Sequence, residues 1–170
     1  MKILKITLLS AITLFVTNIS AQSETIVGVA AGNDNFTTLV AAVKAADLAE
    51  ALSSEGPFTV FAPVNTAFEA LPAGTVDTLL KPESKDALTG ILTYHVVAGK
   101  FMAADVIKAI NDNDGMFSVK TVQGGTITLS LSGDKVMLKD EKGNMATVVM
   151  ADVAASNGVI HAIDAVVMPE

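Results

Sequence analysis

The side chains best suited to acid–base or metal chemistry are few in this 170-residue chain, which has two histidines, His95 and His161, and no cysteine. His161 and Asp164 are close in sequence, but a serine hydrolase also needs a nucleophile on a strained turn, and no Gly-x-Ser-x-Gly segment occurs. A zinc site needs three or four clustered ligands, and the sequence shows no such cluster. We therefore predict no catalytic residue, no metal and no cofactor.

The acidic segment Asn111–Gly115 is the best candidate for a calcium loop. If Gly115 takes the sixth position of an EF-hand loop, Ile110 and Thr121 fall at the first and twelfth positions. Those positions require an Asp and a bidentate Glu. The pattern therefore favours a solvated turn after a helix over a metal site.

The first 21 residues have the pattern of a secretory signal peptide. Two lysines precede an apolar run, Ile6–Val16, and Ile19-Ser20-Ala21 is a plausible processing site. The run has about 11 residues, whereas a bilayer core needs roughly 20. We predict cleavage after Ala21, export to the periplasm or the medium, and a mature chain, 22–170, that does not span the membrane.

The charge balance of the mature chain bears on the classes of partner. Removing residues 1–21, which carry two lysines, changes the net charge from −7 to −9, and the chain has no arginine. Arginine is the usual bidentate ligand for phosphate, and an acidic surface repels polyanions. The composition therefore disfavours nucleic acid as a partner.

The secondary-structure elements that position the histidines and acidic residues change type along the chain. The first half reads as helical, with an apolar stripe at Phe36, Leu39, Val40 and Val43. The second half reads as strands, because Thr126–Ser132 alternates apolar and polar residues without error. Helices followed by a strand meander indicate an α+β domain. Shorter segments predict strands over Phe58–Ala62, Tyr94–Val97, Met145–Val153 and Val159–Val167. They also predict a helix over Asn65–Leu71, capped by Asn65 or Thr66, with Glu69 three residues after Thr66 completing a capping box.

Two segments, Thr59–Phe68 and Asn157–Asp164, resemble the signature segments of the fasciclin domain family. The resemblance covers roughly residues 24–169, so we expect one domain over 22–170. It implies a fasciclin-like fold in which a helical N-terminal half packs on a β-sheet pair or wedge. The motif positions expected to be structural are Thr59, Phe61, Pro63, Asn65, Phe68, Asn157, Gly158, His161 and Asp164.

Two further segments match elements that the family is proposed to use for integrin contact. One is Tyr94-His95, and the other is Asp152-Val153, although Met150-Ala151 here replaces the Glu-Pro that precedes it in the family. The resemblance makes these four residues candidate interaction residues. The simpler alternative for Tyr94 and His95 is an interior position on a mostly apolar strand, which we favour.

The resemblance also implies the function. We expect an exported, non-enzymatic adhesion or interaction module whose partner is a cell-surface or matrix protein or a polysaccharide. The alternative is a periplasmic or secreted carrier or sensor for a small apolar ligand or sugar, which would need a concave apolar pocket.

Overall fold

The computed structural model of the chain describes residues 24–170. The predicted signal peptide, residues 1–21, lies outside the described residues, and so does the cleavage point after Ala21. Among residues 24–170, no helix is long and apolar enough to cross a bilayer.

Short helices make up most of the N-terminal half. α1 begins after Thr25, whose side chain accepts a hydrogen bond from the Gly28 amide, and α2 follows a short 3₁₀ turn that Asn33 caps. Both caps are favoured residue types for a helix start. The seven helices of the described residues are α1 Ile26–Ala31, α2 Thr37–Ala45, α3 Ala49–Leu52, α4 Asn65–Glu69, α5 Thr75–Leu79, α6 Lys85–Tyr94 and α7 Ala103–Asp112.

Seven strands form a mixed sheet with the order β2-β1-β7-β6-β5-β4-β3. β1 and β7 are parallel, and the other neighbours are antiparallel. A bridge between Val97 and Thr121 brings the two ends of this order together, so the sheet curls into a wedge. The strands are β1 Phe58–Pro63, β2 Val96–Ala98, β3 Met116–Lys120, β4 Thr126–Ser132, β5 Lys135–Lys139, β6 Met145–Ala155 and β7 Gly158–Ile163.

The parallel pair β1 and β7 separates two apolar cores. Val60 and Ile160 pack with α1, α2 and α6 in the helical core, whereas Phe61 and Ile163 point to the sheet core, which α7 also covers. Both strands are thus buried on both faces, as is usual for parallel strands. This explains why they appear in the sequence as continuous apolar runs. The observed fold is the α+β arrangement that the sequence predicts, with the helices mostly in the N-terminal half.

The structure corrects several predicted boundaries. Tyr94–Val97 is not a strand: α6 continues through Tyr94, His95 ends it, and β2 begins at Val96. Leu88 and Leu92 are buried in the helical core, and Tyr94, on the opposite side of α6, is buried in the sheet core. Tertiary packing on both sides of the helix thus overrides the β-propensity of the tyrosine.

The ends of other elements also differ from the predictions. α4 ends at Glu69 rather than Leu71, and no side chain caps its first turn, so the predicted capping box is wrong. β6 extends to Ala155, beyond the predicted Val153, and β7 ends at Ile163 rather than Val167. Ala165, Val166 and Val167 are apolar because they pack in the two cores, not because they pair in the sheet.

Candidate functional site

Asn157 ties distant segments together at the turn between β6 and β7. Its Oδ1 accepts a hydrogen bond from the Ile26 amide at 2.9 Å, in the first turn of α1. Its Nδ2 donates to the carbonyl oxygens of Leu52 and Ser54 at 2.7 and 2.9 Å, at the end of α3. Helix ends leave such backbone groups without internal partners. One amide side chain therefore satisfies the ends of two helices and attaches both to the sheet.

Gly158, the next residue, allows two backbones to approach very closely. A Cβ added at Gly158 would lie 2.0 Å from the Phe58 carbonyl oxygen, and one added at Gly56 would lie 2.1 Å from the Asn157 carbonyl oxygen. Both clashes are with backbone atoms, which cannot rotate away. Glycine is required here for lack of space, not for a left-handed backbone.

Thr59 and Asn65 have comparable structural roles. The Thr59 hydroxyl donates to the Gly99 carbonyl at 2.7 Å and accepts from the Phe101 amide at 2.9 Å, which holds the segment after β2 against β1. The Asn65 Oδ1 accepts from the Thr38 amide at 3.1 Å, so Asn65 caps α2 rather than its own helix. This is the physical reason that the expected local cap on α4 is absent.

The other residues of the two signature segments also lie in the framework. Pro63 is the last residue of β1 and is in register with Ile163 of β7. Phe61 is 2 % exposed and Phe68 is 7 % exposed. The Asp164 Oδ1 accepts from the Thr147 amide at 2.7 Å, which closes the far end of the β6–β7 pair.

Tyr94 is fully buried, with its ring in the sheet core. Its hydroxyl donates to the Thr126 carbonyl at 2.7 Å and accepts from the Glu141 amide at 3.3 Å. Burial raises the pKa of the phenol to about 12. The side chain therefore holds α6 against two turns of the sheet and presents no atom to a partner.

His95 is 2 % exposed and bonds through both ring nitrogens. Nδ1 lies 2.7 Å from the Ile91 carbonyl, and Nε2 lies 3.3 Å from the Val167 amide nitrogen. A carbonyl can only accept and an amide can only donate, so these partners assign the proton to Nδ1. Burial lowers the pKa of the ring to about 4.

His161 is bonded in the opposite sense. Its Nε2 lies 2.7 Å from the Phe101 carbonyl, and the Asp152 amide donates to its Nδ1 at 3.3 Å, which assigns the proton to Nε2. The ring stacks on Phe61 with the centroids 5.8 Å apart. Asp164 bonds elsewhere, so His161 and Asp164 do not form a catalytic pair.

Asp152 and Val153, the second candidate pair, lie on the bulged part of β6. The Asp152 side chain is exposed, but its Oδ1 accepts from the Ala103 amide at 2.7 Å at the start of α7. Val153 is half-buried against the helical core. The structure thus brings Asp152 to His161 and α7, whereas Tyr94 is bonded to Thr126 and Glu141. Since Tyr94 and His95 are buried, the four candidates do not form one surface.

A more exposed apolar surface lies just before Asp152. The pairing of β6 with β7 shifts register between Val148 and Met150 and again between Met150 and Val153. In this interval Val149 is 53 % exposed and Met150 is 44 % exposed. We call this the β6 bulge surface: Val149, Met150 and the cleft of about 300 Å³ that they line together with Asn35, Phe36, Val64, Asn65, Thr66 and Ala162.

The sequence analysis missed this surface. Val149 and Met150 lie in an unbroken apolar run, which favours burial. The bulges that turn these two side chains outward could not be recognised from the sequence, because no glycine occurs at them. The loss of strict alternation after Thr147 was the one available hint.

One cavity among the described residues has an almost wholly apolar wall. It lies between α1, α2, α6 and β1, with His95 in its wall, and has a volume of about 20 Å³. That is room for about one water molecule, far below the several hundred Å³ of a usual ligand pocket. Within residues 24–170, no three His, Asp or Glu side chains are grouped so that they could hold a metal ion.

Comparisons with known proteins agree with this architecture. The fasciclin domain family model matches residues 34–169. The chain is 59 % identical over 145 residues to protein sll1483 of Synechocystis, covering 85 % of this chain and 73 % of that protein. It is 43 % identical over 143 residues to protein sll1735 of the same organism, covering 84 % and 96 %.

A solved structure provides the fold match. The FAS1 domain pair of the insect cell adhesion molecule fasciclin I superposes with a TM-score of 0.72 at 18 % identity, over 84 % of this chain and 50 % of that one. At that identity the likeness concerns the fold. With the family model spanning most of the described residues, the chain belongs to the fasciclin domain family.

Proposed function

We propose that this protein is an exported adhesion or interaction module that acts by binding, and that it contacts its partner through the β6 bulge surface. The observation that carries the proposal is the exposure of Val149 and Met150 side by side at the mouth of a cleft. Exposed apolar side chains next to a cleft are typical of contact surfaces. The fold likeness to a cell adhesion molecule supports the same class of function.

The partner that best fits this surface is a protein on a cell surface or in a matrix. The centre of a protein interface is apolar and enriched in methionine, and its rim is polar. Met150 and Val149 would form such a centre, with Asn35 and Thr66 at the rim. A polysaccharide is the other class of partner, and the experiment below distinguishes the two.

Tyr94 and His95 do not support a direct contact. Both are buried and bonded at every polar side-chain atom, so a partner would reach them only after local unfolding. The small volume of the apolar cavity similarly disfavours a carrier that encloses an apolar ligand there. Asp152 would contribute at most its exposed oxygen, because its other oxygen is bonded to α7.

Adhesion of the exported protein to intact cells of the bacterium that produces it tests the proposal. We expect Val149→Ser combined with Met150→Gln to weaken binding about thirtyfold, the loss expected when a hot spot of about 2 kcal/mol is removed. The matched control is Met116→Gln combined with Val122→Ser, two residues that are 62 % and 50 % exposed elsewhere on the surface. Equal binding by both double variants would contradict the proposed surface.

Pretreatment of the cells identifies the class of partner. Mild proteolysis should abolish binding, and periodate oxidation of surface sugars should not. The reverse result would assign a polysaccharide partner.

N-terminal sequencing tests the export part of the proposal. The sequence of the exported protein should start at Gln22, and a start at Met1 would contradict export.

A further inference from the structure

The segment Val166–Met168, which follows β7, is held in a seam between the two cores. Val166 is 7 % exposed and packs in the helical core, and Val167 is fully buried in the sheet core. The segment is outside the strands, so no ladder of backbone hydrogen bonds holds it. Two of its amides instead donate to side chains: Val167 to the His95 Nε2 at 3.3 Å, and Met168 to the Asp140 Oδ2 at 2.9 Å.

The bond between Val167 and His95 exists for one protonation state of the ring. The Nδ1 proton is committed to the Ile91 carbonyl at 2.7 Å, so Nε2 carries the lone pair that accepts from Val167. A second proton would have to sit on Nε2, where it would face the N–H of Val167. Two donors would then point at each other, and the bond would become a repulsive contact.

The surroundings of the His95 ring do little to stabilise its doubly protonated form. The ring forms part of the wall of the small cavity, and α1, α2, α3, β1 and β2 contribute only aliphatic side chains to that wall. The charged group that acts on the ring is Asp140, between β5 and β6, whose carboxylate is already bonded to Asn144 and Met168. Desolvation outweighs the attraction of Asp140, so burial lowers the pKa of His95 to about 4.

We propose that Val166–Met168 is a strap that leaves its seam when the His95 ring takes up a second proton, while the rest of the domain remains folded. Release opens the seam to water, and His95 can then be hydrated as an imidazolium ion. It also exposes the apolar side chains that pack around Val167 in the sheet core and around Val166 in the helical core. The result is an apolar surface that the domain presents only in acid.

The strength of the coupling follows from proton linkage. A group with a depressed pKa stabilises the held state above its ordinary pKa of 6.5 and progressively less as the pH falls toward its folded value near 4. In that window the opening equilibrium constant of the strap grows by up to tenfold for each pH unit lost. Between pH 6.5, where the released ring is half protonated, and pH 4.5 the increase is about fortyfold.

Amide hydrogen exchange followed by NMR on the exported protein tests this directly. We expect the protection factor of the Val167 amide, corrected for intrinsic exchange, to fall about fortyfold between pH 6.5 and pH 4.5. At every pH in this range the amides of β4 and β7 should stay much more protected than the Val167 amide, because they exchange only when the domain unfolds. An unchanged Val167 protection factor would overturn the proposal, and so would equal protection factors for Val167, β4 and β7, because that result would mean global unfolding.

Two variants and one spectroscopic measurement test whether His95 is the group that makes the Val167 protection depend on pH. His95→Gln retains an acceptor but does not titrate, so its Val167 protection should not depend on pH. His161→Gln, the same change at the other buried histidine, should retain the pH dependence. If His95→Gln fails to fold, the ¹⁵N shifts of the His95 ring in the unmodified protein decide. By the same linkage the ring should protonate where the fall in Val167 protection levels off, near pH 4, and a ring that protonates near pH 6.5 would overturn the proposal.

Discussion

The two ends of the β6–β7 hairpin differ in their surroundings: the turn is enclosed by other segments, and the bulged end faces solvent. At the turn, Asn157 and Gly158 are enclosed by other parts of the chain, and the side-chain atoms of Asn157 bond to the ends of two helices. In the bulged half of β6, Val149 and Met150 face solvent. The comparison indicates that the residues by which the family is recognised are those that build the fold. The residues proposed to meet a partner carry no recognisable motif.

The largest expected effect is at the turn, on replacing Gly158 by alanine. The new Cβ would lie 2.0 Å from the Phe58 carbonyl oxygen, so β1 and β7 would have to separate. We expect a loss of about 4 kcal/mol or more in the free energy of unfolding, measured by chemical denaturation. Gly90→Ala is the control, because a Cβ there meets nothing within 4 Å and alanine favours a helix, so stability should not fall.

Asn157→Ala should have the next largest effect. The change removes three hydrogen bonds and leaves the Leu52 carbonyl and the Ile26 amide without their partner. We expect a loss of about 2–3 kcal/mol. Asn157→Asp, which keeps the acceptor for Ile26 but not the donor, should fall between alanine and the original residue. A cost below about 0.5 kcal/mol for alanine would show that water replaces these bonds.

Tyr94 is buried like the residues of the β6–β7 turn, and the ionisation of its phenol tests that interior position. Its folded pKa is raised above the ordinary value of 10, so it stabilises the fold fully below pH 10, and that contribution is lost as the pH rises toward 12. We expect the loss to be about 1–2 kcal/mol, taken as the difference between the native protein and Tyr94→Phe. Tyr94 is the chain's single tyrosine, so absorbance at 295 nm reports its titration without overlap. A midpoint near pH 10 in the folded protein would contradict its interior position.

The smallest expected effect is at the β6 bulge surface. Val149→Ser combined with Met150→Gln should change the free energy of unfolding by no more than about 0.5 kcal/mol, as is usual for surface positions. Thermal melting of the same samples used in the adhesion assay would verify this. A large destabilisation would show that the bulge supports the fold and would remove the contrast between the two ends of the hairpin.

The sequence was sufficient to predict the architecture but not the roles of single side chains. Periodicity and the two signature segments correctly predicted an α+β, fasciclin-like domain. The Asn65 contact could not be predicted in this way, because its partner Thr38 is 27 residues away and sequence patterns report local caps. Tyr94 was assigned to a strand for the same reason, since local propensity does not register the packing that extends α6.

The candidate site was predicted less well than the fold. Sequence reasoning favoured an interior position for Tyr94 and His95, and the structure buries both. It did not identify Val149 and Met150, because a bulge depends on the register between two strands and not on either strand alone. Asp140 was likewise overlooked, since its bond to the Met168 amide spans 28 residues.

The parallel pairing of β1 with β7 has a consequence for how the chain reaches its fold. Phe58 aligns with Gly158, and Asn157 bonds to Ile26, 131 positions earlier in the sequence. The centre of the sheet and the contact that holds the start of α1 therefore form only after β7 and the turn before it are available. Contacts of such long sequence separation form slowly, because the closure of a long loop must precede them. A chain of this sequence therefore stays without its central strand pair until β7 has been synthesised, 100 residues after the paired positions of β1.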